Sequence, residues 1–281
     1  MVRKSIPMAI CYDFDGTLSP GNMQEYGFMD SLGTTPERFW VKSNSFAKEH
    51  SADINLAYMK RMIEEAKIKD VPFNKQAFCD YGKSVKLFEG VKEWFTRINR
   101  YGKEHGIEVK HYIISSGLKE IIECTDIGTC FECIFASSYI YDANGIPIWP
   151  ANVVNYTSKT QYIFRINKGY CDINDNKSIN SYIKEEERPV PFSNMVFIGD
   201  GETDIPAMKM VKVNGGHSIA VYKPTKKDAK TKAKKLIKDN RVNIITQADY
   251  QENSMIDKYI KALINKIEAD YTLRKLEKKD N

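Results

Sequence analysis

The stretch that decides the fold is ICYDFDGTLSP, residues 10–20. An apolar run leads directly into two aspartates, Asp13 and Asp15, which flank a single phenylalanine. Two carboxylates this close repel each other, so the arrangement costs stability unless a cation or a proton lies between them. The stretch therefore predicts a buried strand that ends at a charged site.

The composition is that of a protein with a substantial hydrophobic core. The 281 residues are 42% hydrophobic, which suits one large α/β domain or a core with a smaller appendage. The net charge of +5 does not indicate the dense basic face of a nucleic-acid-binding protein. No apolar run reaches the roughly 18 residues that a membrane helix needs, and the N-terminal run meets Asp13 before it could form a signal sequence. We therefore predict a cytoplasmic protein that binds neither nucleic acid nor membrane.

Short apolar runs alternate with segments of helical spacing along most of the chain. This alternation predicts a parallel sheet with helices on both faces. An Asn-Gly pair in SYIYDANGIPIW (138–149) adds a predicted hairpin. The predicted strands are MAICY (8–12), VKHYIIS (109–115), CIFAS (133–137), MVFIG (195–199), SIAVY (218–222) and VNIIT (242–246). The predicted helices are 91–104, 118–127, 159–168, 204–212 and a C-terminal helix that begins near Met255.

Residues 21–88 interrupt this alternation. They contain amphipathic helical patterns, such as INLAYMKRMIEEA (54–66), and no convincing strand. A helical insertion directly after the first strand predicts a separate cap. We therefore expect a cap domain at 21–88 and a catalytic core formed by 1–20 and 89–281.

Polar side chains follow three of the predicted strands. Asp13, Ser115 and Asp200 each stand where an apolar run ends, and Lys159 begins a helix between the second and third of these strands. The carboxyl ends of parallel strands meet at one edge of the sheet, so these side chains should converge on one crevice. Alone, a serine here is an ordinary helix cap and a lysine an ordinary solvated residue. The joint order of the residues favours a catalytic site.

DFDGT, the strand that ends in serine, the lysine and GDGETD resemble, in this order, the four motifs of the haloacid dehalogenase-like (HAD) hydrolase superfamily. The resemblance spans residues 8–211. The helical insertion after the first motif looks like the type C1 cap of phosphoserine phosphatase-like members. The resemblance implies an α/β fold in which a Rossmann-like parallel sheet core carries a helical C1 cap after the first strand.

The resemblance also implies a reaction, the hydrolysis of a phosphomonoester through an aspartyl-phosphate on Asp13. Asp15 would donate a proton to the leaving alkoxide and then accept one from the attacking water. An acid two residues after the nucleophile argues against a dehalogenase. We therefore expect a phosphatase for a small phosphorylated metabolite, or a phosphomutase with the same residues. A catalytically silent module that binds a phosphorylated ligand is a third hypothesis.

Two sets of residues would serve this reaction. Carboxylates suit Mg²⁺, a hard cation that prefers oxygen ligands. The expected Mg²⁺ site consists of Asp13, the backbone carbonyl of Asp15, Asp200 and Asp204, the last of which either holds a metal-bound water or orients the lysine. The expected phosphate-binding groups are the Ser115 hydroxyl, the Lys159 ammonium and the backbone N–H groups near Phe14 and Ser116.

The substrate is not specified by these motifs. Asn22 stands where phosphoserine phosphatases carry an acid early in the cap, and Thr203 replaces the asparagine that is usual in the fourth motif. Both differences leave hydrolysis intact and put phosphoserine specificity in doubt. Cap side chains suggest an anionic or ring-bearing leaving group. They are the cations Arg38, Lys42, Lys60 and Arg61, and the aromatics Tyr26, Phe39, Trp40 and Tyr58.

Two further patterns have ordinary explanations. Cys124, Cys130 and Cys133 include a C-x-x-C pair, but no second pair or nearby histidine completes a zinc site. Six cysteines in a chain of this length predict reduced thiols rather than a disulfide scaffold. The lysine run KPTKKDAKTKAKK (223–235) predicts a solvated helix face.

Overall fold

A seven-stranded sheet forms the centre of the computed structural model, which describes residues 5–225 and 228–277. The strands are β1 (Ile6–Tyr12), β2 (Ile107–Leu118), β3 (Cys133–Tyr141), β4 (Pro147–Asn152), β5 (Met195–Gly199), β6 (His217–Tyr222) and β7 (Ile244–Gln247). Their order across the sheet is β4-β3-β2-β1-β5-β6-β7. Every pairing is parallel except that of β3 with β4, which forms the predicted hairpin. The α/β fold class is confirmed.

Eleven α-helices connect or cover the strands in the part of the chain that the structure describes. They are α1 (Phe28–Leu32), α2 (Pro36–Glu49), α3 (Ile54–Lys69), α4 (Lys75–Ser84), α5 (Val91–Glu104), α6 (Lys119–Glu123), α7 (Lys159–Lys168), α8 (Asn176–Asn180), α9 (Ile205–Val213), α10 (Ala229–Lys238) and α11 (Met255–Glu277). The helix predicted over 118–127 is shorter than expected, since β2 continues to Leu118 and α6 already ends at Glu123. No helix among the described residues has the length and hydropathy to span a membrane.

The central strand β1 is buried on both faces, and this explains its continuous apolar sequence. Met8, Ile10 and Tyr12 pack into one hydrophobic cluster with α5 and α11. Ala9 and Cys11 pack into a second cluster with α7 and α9 on the other face. Because β2 and β5 flank β1, the residues that follow these three strands emerge side by side.

The helices α1 to α4 all lie between β1 and β2 in the chain. The Asp53 carboxylate caps α3 by accepting from the backbone N–H of Asn55 at 2.7 Å. Aromatic side chains of this insertion, including Phe28, Phe39 and Phe78, belong to the same buried cluster as Ile113 of β2. The insertion therefore shares its hydrophobic core with the sheet, and its status as a separate domain stays a prediction.

The prediction that the cysteines are reduced thiols is wrong for four of the six. Disulfides join Cys79 of α4 to Cys124 after α6, and Cys133 of β3 to Cys171. The paired Cα atoms lie 4.9 and 5.8 Å apart, within the usual range for disulfides. Cys130 is free, so the C-x-x-C pair does not bond to itself. The partners are separated by 45 and 38 residues, and only the packing of distant elements brings them together.

Candidate active site

The nucleophile candidate Asp13 is held at the end of β1 by its backbone. Its N–H donates to the Ile198 carbonyl of β5 at 2.9 Å, and its side chain is 8% exposed. The chain then turns at Gly16, which has φ of +78° and whose N–H donates to Ser19 O at 2.8 Å. A Cβ on Gly16 would lie 2.8 Å from Asp200 Oδ1 and closer still to Oδ2. The turn therefore needs glycine both for its conformation and for the close approach of Asp200.

Lys159 forms a buried ion-pair network with two of the carboxylates. Its ammonium nitrogen lies 3.0 Å from Asp13 Oδ1 and 2.6 Å from Asp204 Oδ1. Burial acts to lower the pKa of Lys159, but the two carboxylates outweigh burial and the pKa is raised, so the side chain stays charged. Burial, followed by the charge of Asp13, raises the pKa of Asp204 to about 6. The lysine is thus fixed directly beside the nucleophile candidate Asp13.

Asp15 has a different electrostatic environment from that of Asp13. Its Oδ1 accepts a hydrogen bond from the backbone N–H of Met23 at 2.8 Å. Burial raises the pKa of Asp15 well above its usual value, and the charge of Asp13 raises it further. A carboxyl group with a raised pKa holds its proton more firmly than an ordinary aspartate and is suited to donate that proton to a leaving group.

The end of β2 supplies the two serines of the second motif. Ser115 is buried, and its hydroxyl accepts from the backbone N–H of Gly117 at 3.0 Å. The Ser116 carbonyl accepts from the Tyr58 hydroxyl of α3 at 2.6 Å and from the Ser137 hydroxyl at 3.1 Å. A side chain of the helical insertion therefore fixes the end of β2 that carries both serines.

Three carboxylates lie in position to hold a metal ion. One oxygen each of Asp13, Asp200 and Asp204 lies within 4.8 Å of the other two. An all-oxygen, acidic donor set matches the preference of Mg²⁺. Of the three, Asp204 also accepts a hydrogen bond from the Lys159 ammonium, at 2.6 Å through its Oδ1. The donor set therefore fits the predicted cation.

A cavity of about 540 Å³ opens above these groups. Among the predicted residues, Asp13, Asp15, Ser115, Ser116 and Asp200 line it. Lys159, Asp204 and Phe14 are fully buried and do not line the cavity. The structure therefore places all the predicted site residues together at one edge of the sheet, either on the cavity wall or directly behind it.

The cavity wall also contains residues that the motifs did not indicate. Glu25, Asn55 and Lys223 line it, together with Asn22 and Thr203. Glu25 and Asn55 come from the helical insertion, where no motif distinguishes them from other polar residues. Lys223 directly follows β6, and its position at a strand end could have predicted its place on the cavity wall. We did not single it out because it begins the lysine run 223–235.

The cap cations that we expected to select the substrate lie elsewhere. Arg38 and Lys42 are exposed on α2, and none of the four cations lines the cavity. Lys60 and Arg61 pair with Glu64 and Glu65 one turn along α3. Residues four apart are neighbours on the surface of a helix, so such pairs form within α3 itself. The charges of Lys60 and Arg61 are therefore directed at α3 and not at the cavity. The suggestion of a ring-bearing leaving group also loses its basis, because the aromatic side chains named with these cations do not line the cavity.

Comparisons with known proteins agree with this geometry. The sequence profile of haloacid dehalogenase-like hydrolases matches residues 10–209. The chain therefore belongs to this hydrolase family, as the motifs predicted. It is also 28% identical over 282 residues to an uncharacterized protein of Borreliella burgdorferi, covering 90% of this chain and 95% of that protein.

Solved structures show the same fold. A substrate-bound phosphoserine phosphatase superposes with a TM-score of 0.55 at 16% identity, covering 86% of this chain and 94% of that one. A probable phosphoserine phosphatase from Vibrio cholerae superposes with a TM-score of 0.59 at 12% identity, covering 94% and 67%. At these identities the likeness concerns the fold, and it confirms the predicted resemblance to phosphoserine phosphatase-like members.

Proposed function

We propose that this hydrolase is a Mg²⁺-dependent phosphatase that acts on a small phosphorylated metabolite through an aspartyl-phosphate on Asp13. The observation that carries the proposal is the pairing of two unlike carboxyl groups in one cavity. Asp13 contacts the Lys159 ammonium at 3.0 Å, whereas the pKa of Asp15 is raised by burial. The ammonium lies beside the group that would attack, and the raised pKa of Asp15 suits the group that would transfer a proton.

In the first half of the reaction, an Asp13 carboxylate oxygen attacks the phosphorus atom. The bond between phosphorus and the alcohol oxygen breaks, and Asp15 gives its proton to that oxygen. In the second half, Asp15 accepts a proton from a water molecule as that water attacks the aspartyl-phosphate. Inorganic phosphate leaves, and both side chains return to their starting protonation states.

The remaining groups bind and orient the phosphoryl group. The Ser115 hydroxyl, the Lys159 ammonium and the backbone N–H groups of Phe14 and Ser116 would donate to its oxygens. Positioned donors matter because phosphoryl transfer depends mainly on alignment and on neutralising the charge of the transferred group. The Tyr58 hydrogen bond to the Ser116 carbonyl supports this role by holding the end of β2 in place.

Mg²⁺ would be held by Asp13, the Asp15 carbonyl and Asp200, with Asp204 close behind them. When bound, the ion supplies positive charge that offsets the repulsion between the carboxylates and polarises a phosphate oxygen. The close approach of Asp200 to Gly16 supports this assignment, because it places the carboxylate directly beside the nucleophile turn.

We assign residues 21–88 to a cap that covers the cavity. Asn55 Nδ2 donates to the Val154 carbonyl at 3.0 Å, and Asn155 Nδ2 lies 3.2 Å from Asp53 Oδ2. These contacts join the beginning of α3 to the segment that precedes α7. A covered cavity favours a small metabolite over a phosphoprotein, and it limits the access of water during transfer.

The test is the substitution Asp13→Asn, which removes the attacking charge while preserving the shape of the side chain. We expect phosphate release from a panel of phosphorylated metabolites with Mg²⁺ to fall by at least about 1000-fold, as expected for loss of a nucleophile. Asp126→Asn, at an exposed aspartate paired with Lys92, is the matched control and should retain activity. Radiolabel from the substrate phosphoryl group should remain bound to the wild-type protein after a rapid acid quench and be absent from Asp13→Asn. Substantial turnover by Asp13→Asn would contradict the proposal.

A further inference from the structure

Lys223 is the one lysine or arginine among the described residues that line the cavity. It directly follows β6, whose parallel pairing with β5 places Lys223 at the same sheet edge as Asp200. Its ammonium nitrogen lies 3.4 Å from the carbonyl oxygen of Pro20, in the segment after the nucleophile turn. The side chain therefore reaches from the end of β6 to Pro20, at the mouth of the cavity.

Lys223 forms no ion pair with another residue in the described part of the chain. Four carboxylates line the same cavity: Asp13, Asp15, Glu25 and Asp200. Lys223 forms no ion pair with any of them among the described residues, and its one hydrogen bond there is to the neutral Pro20 carbonyl. An ammonium has three N–H donors, so this group retains the capacity to bind an anion.

Two charged groups near the cavity, Lys159 and Glu25, already have partners within the protein. Lys159 contacts Asp13 and Asp204, which fixes its ammonium beside the proposed nucleophile. Glu25 Oε1 accepts from Asn22 Nδ2 at 2.6 Å and from Trp40 Nε1 at 3.3 Å, so its carboxylate is anchored on the side of the insertion. The structure thus assigns separate positions to the two cations, one at the nucleophile and one at the cavity mouth.

We propose that Lys223 binds an anionic group on the leaving-group side of the substrate. The substrate class is then a phosphomonoester whose alcohol carries a second negative charge, either a carboxylate or a second phosphate. This inference rests on the proposed phosphatase function and adds a specificity-determining residue to it. An ammonium is a compact point charge that accepts either anion, so the geometry identifies the charge and the experiment identifies the group.

The test compares three alkyl phosphates of similar size: ethyl phosphate, phosphoglycolate and ethylene glycol bisphosphate. The measurement is kcat/KM for each, and the quantity of interest is the preference for each charged compound over ethyl phosphate. Lys223→Met removes the charge at similar side-chain length, and Lys223→Arg restores it. Lys232→Met, on the exposed face of α10 with a side chain 74% exposed, is the matched control.

We expect Lys223→Met to reduce the preference for the charged compound by about ten-fold or more, as for loss of one charge-assisted hydrogen bond. Lys223→Arg and Lys232→Met should preserve it. If the preference falls for phosphoglycolate alone, the anion that Lys223 binds is a carboxylate. If it falls for the bisphosphate alone, that anion is a second phosphate. An equal loss on all three compounds would show that Lys223 contacts the transferred phosphoryl group, and an unchanged preference would show no contact; either result overturns the inference while leaving the phosphatase intact. Failure of the wild type to hydrolyse any phosphomonoester would overturn both proposals.

Discussion

The substitution Gly16→Ala tests whether the position of the Asp200 carboxylate depends on the turn at Gly16. Gly106→Ala is the control for the effect of backbone strain on stability. Gly16 adopts φ of +78°, in the left-handed region, and its missing Cβ leaves room for the Asp200 carboxylate. Gly106 has a similar φ of +70°, but a Cβ there meets nothing within 4 Å. Gly106 precedes β2 at the opposite end of the strands from the site. The two substitutions therefore introduce the same backbone strain, and only one of them crowds a candidate metal ligand.

The structure gives the size of each effect. Left-handed backbone strain costs an alanine about 1–2 kcal/mol, so both variants should lose about that much free energy of unfolding. At Gly16 the new methyl group would lie 2.8 Å from Asp200 Oδ1 and closer to Oδ2. Restoring ordinary contact requires the carboxylate to move by on the order of 1 Å, a displacement that can reduce catalysis by about 100-fold.

The assay measures thermal unfolding and Mg²⁺-dependent phosphatase activity in the wild type and in both variants. We expect similar decreases in Tm for Gly16→Ala and Gly106→Ala, and a loss of activity of about 100-fold for Gly16→Ala alone. Raising the Mg²⁺ concentration should recover part of that activity if Asp200 helps to hold the ion. Equal activity in the two variants would refute the reasoning that the Asp200 position depends on Gly16.

The other predictions concern the metal and the buried histidine. Activity should be lost in chelator, return with Mg²⁺ and stay low with Ca²⁺, whose looser coordination disturbs alignment; full activity in chelator would exclude a role for the carboxylates as metal ligands. His111 is buried, with Nδ1 2.9 Å from the Tyr12 hydroxyl and Nε2 2.9 Å from Asn99 Oδ1, and burial lowers its pKa from 6.5 to about 3. The unfolded chain therefore binds a proton that the folded chain excludes, so this stabilisation is complete above pH 6.5 and is lost as the pH falls toward 3. Between pH 7.5 and 5 the wild type should lose about 2 kcal/mol more free energy of unfolding than His111→Gln, measured with urea, and parallel pH profiles would rule out a neutral buried histidine.

Most strands of the sheet, and the edge of the sheet at which the candidate site lies, could be predicted from local sequence. Six strands and the hairpin were predicted because apolar runs of strand length and an Asn-Gly turn are local signals. The convergence of Asp13, Ser115 and Asp200 followed from one topological rule, since the carboxyl ends of parallel strands share an edge. These inferences need only short stretches of chain and the assumption of a parallel sheet.

Contacts between segments that are far apart in the chain could be identified only from the tertiary structure. Cys79 and Cys124 pair because α4 packs against α6, and nothing in the spacing of the six cysteines indicates that packing. Lys60 and Arg61 looked like substrate-binding cations until α3 paired them with its own glutamates. Lys223 looked like one of many solvated lysines, yet the end of β6 places it on the cavity wall. Local sequence specifies which elements form, whereas side-chain neighbours depend on how the elements pack, because that packing sums many weak contacts between residues far apart in the chain.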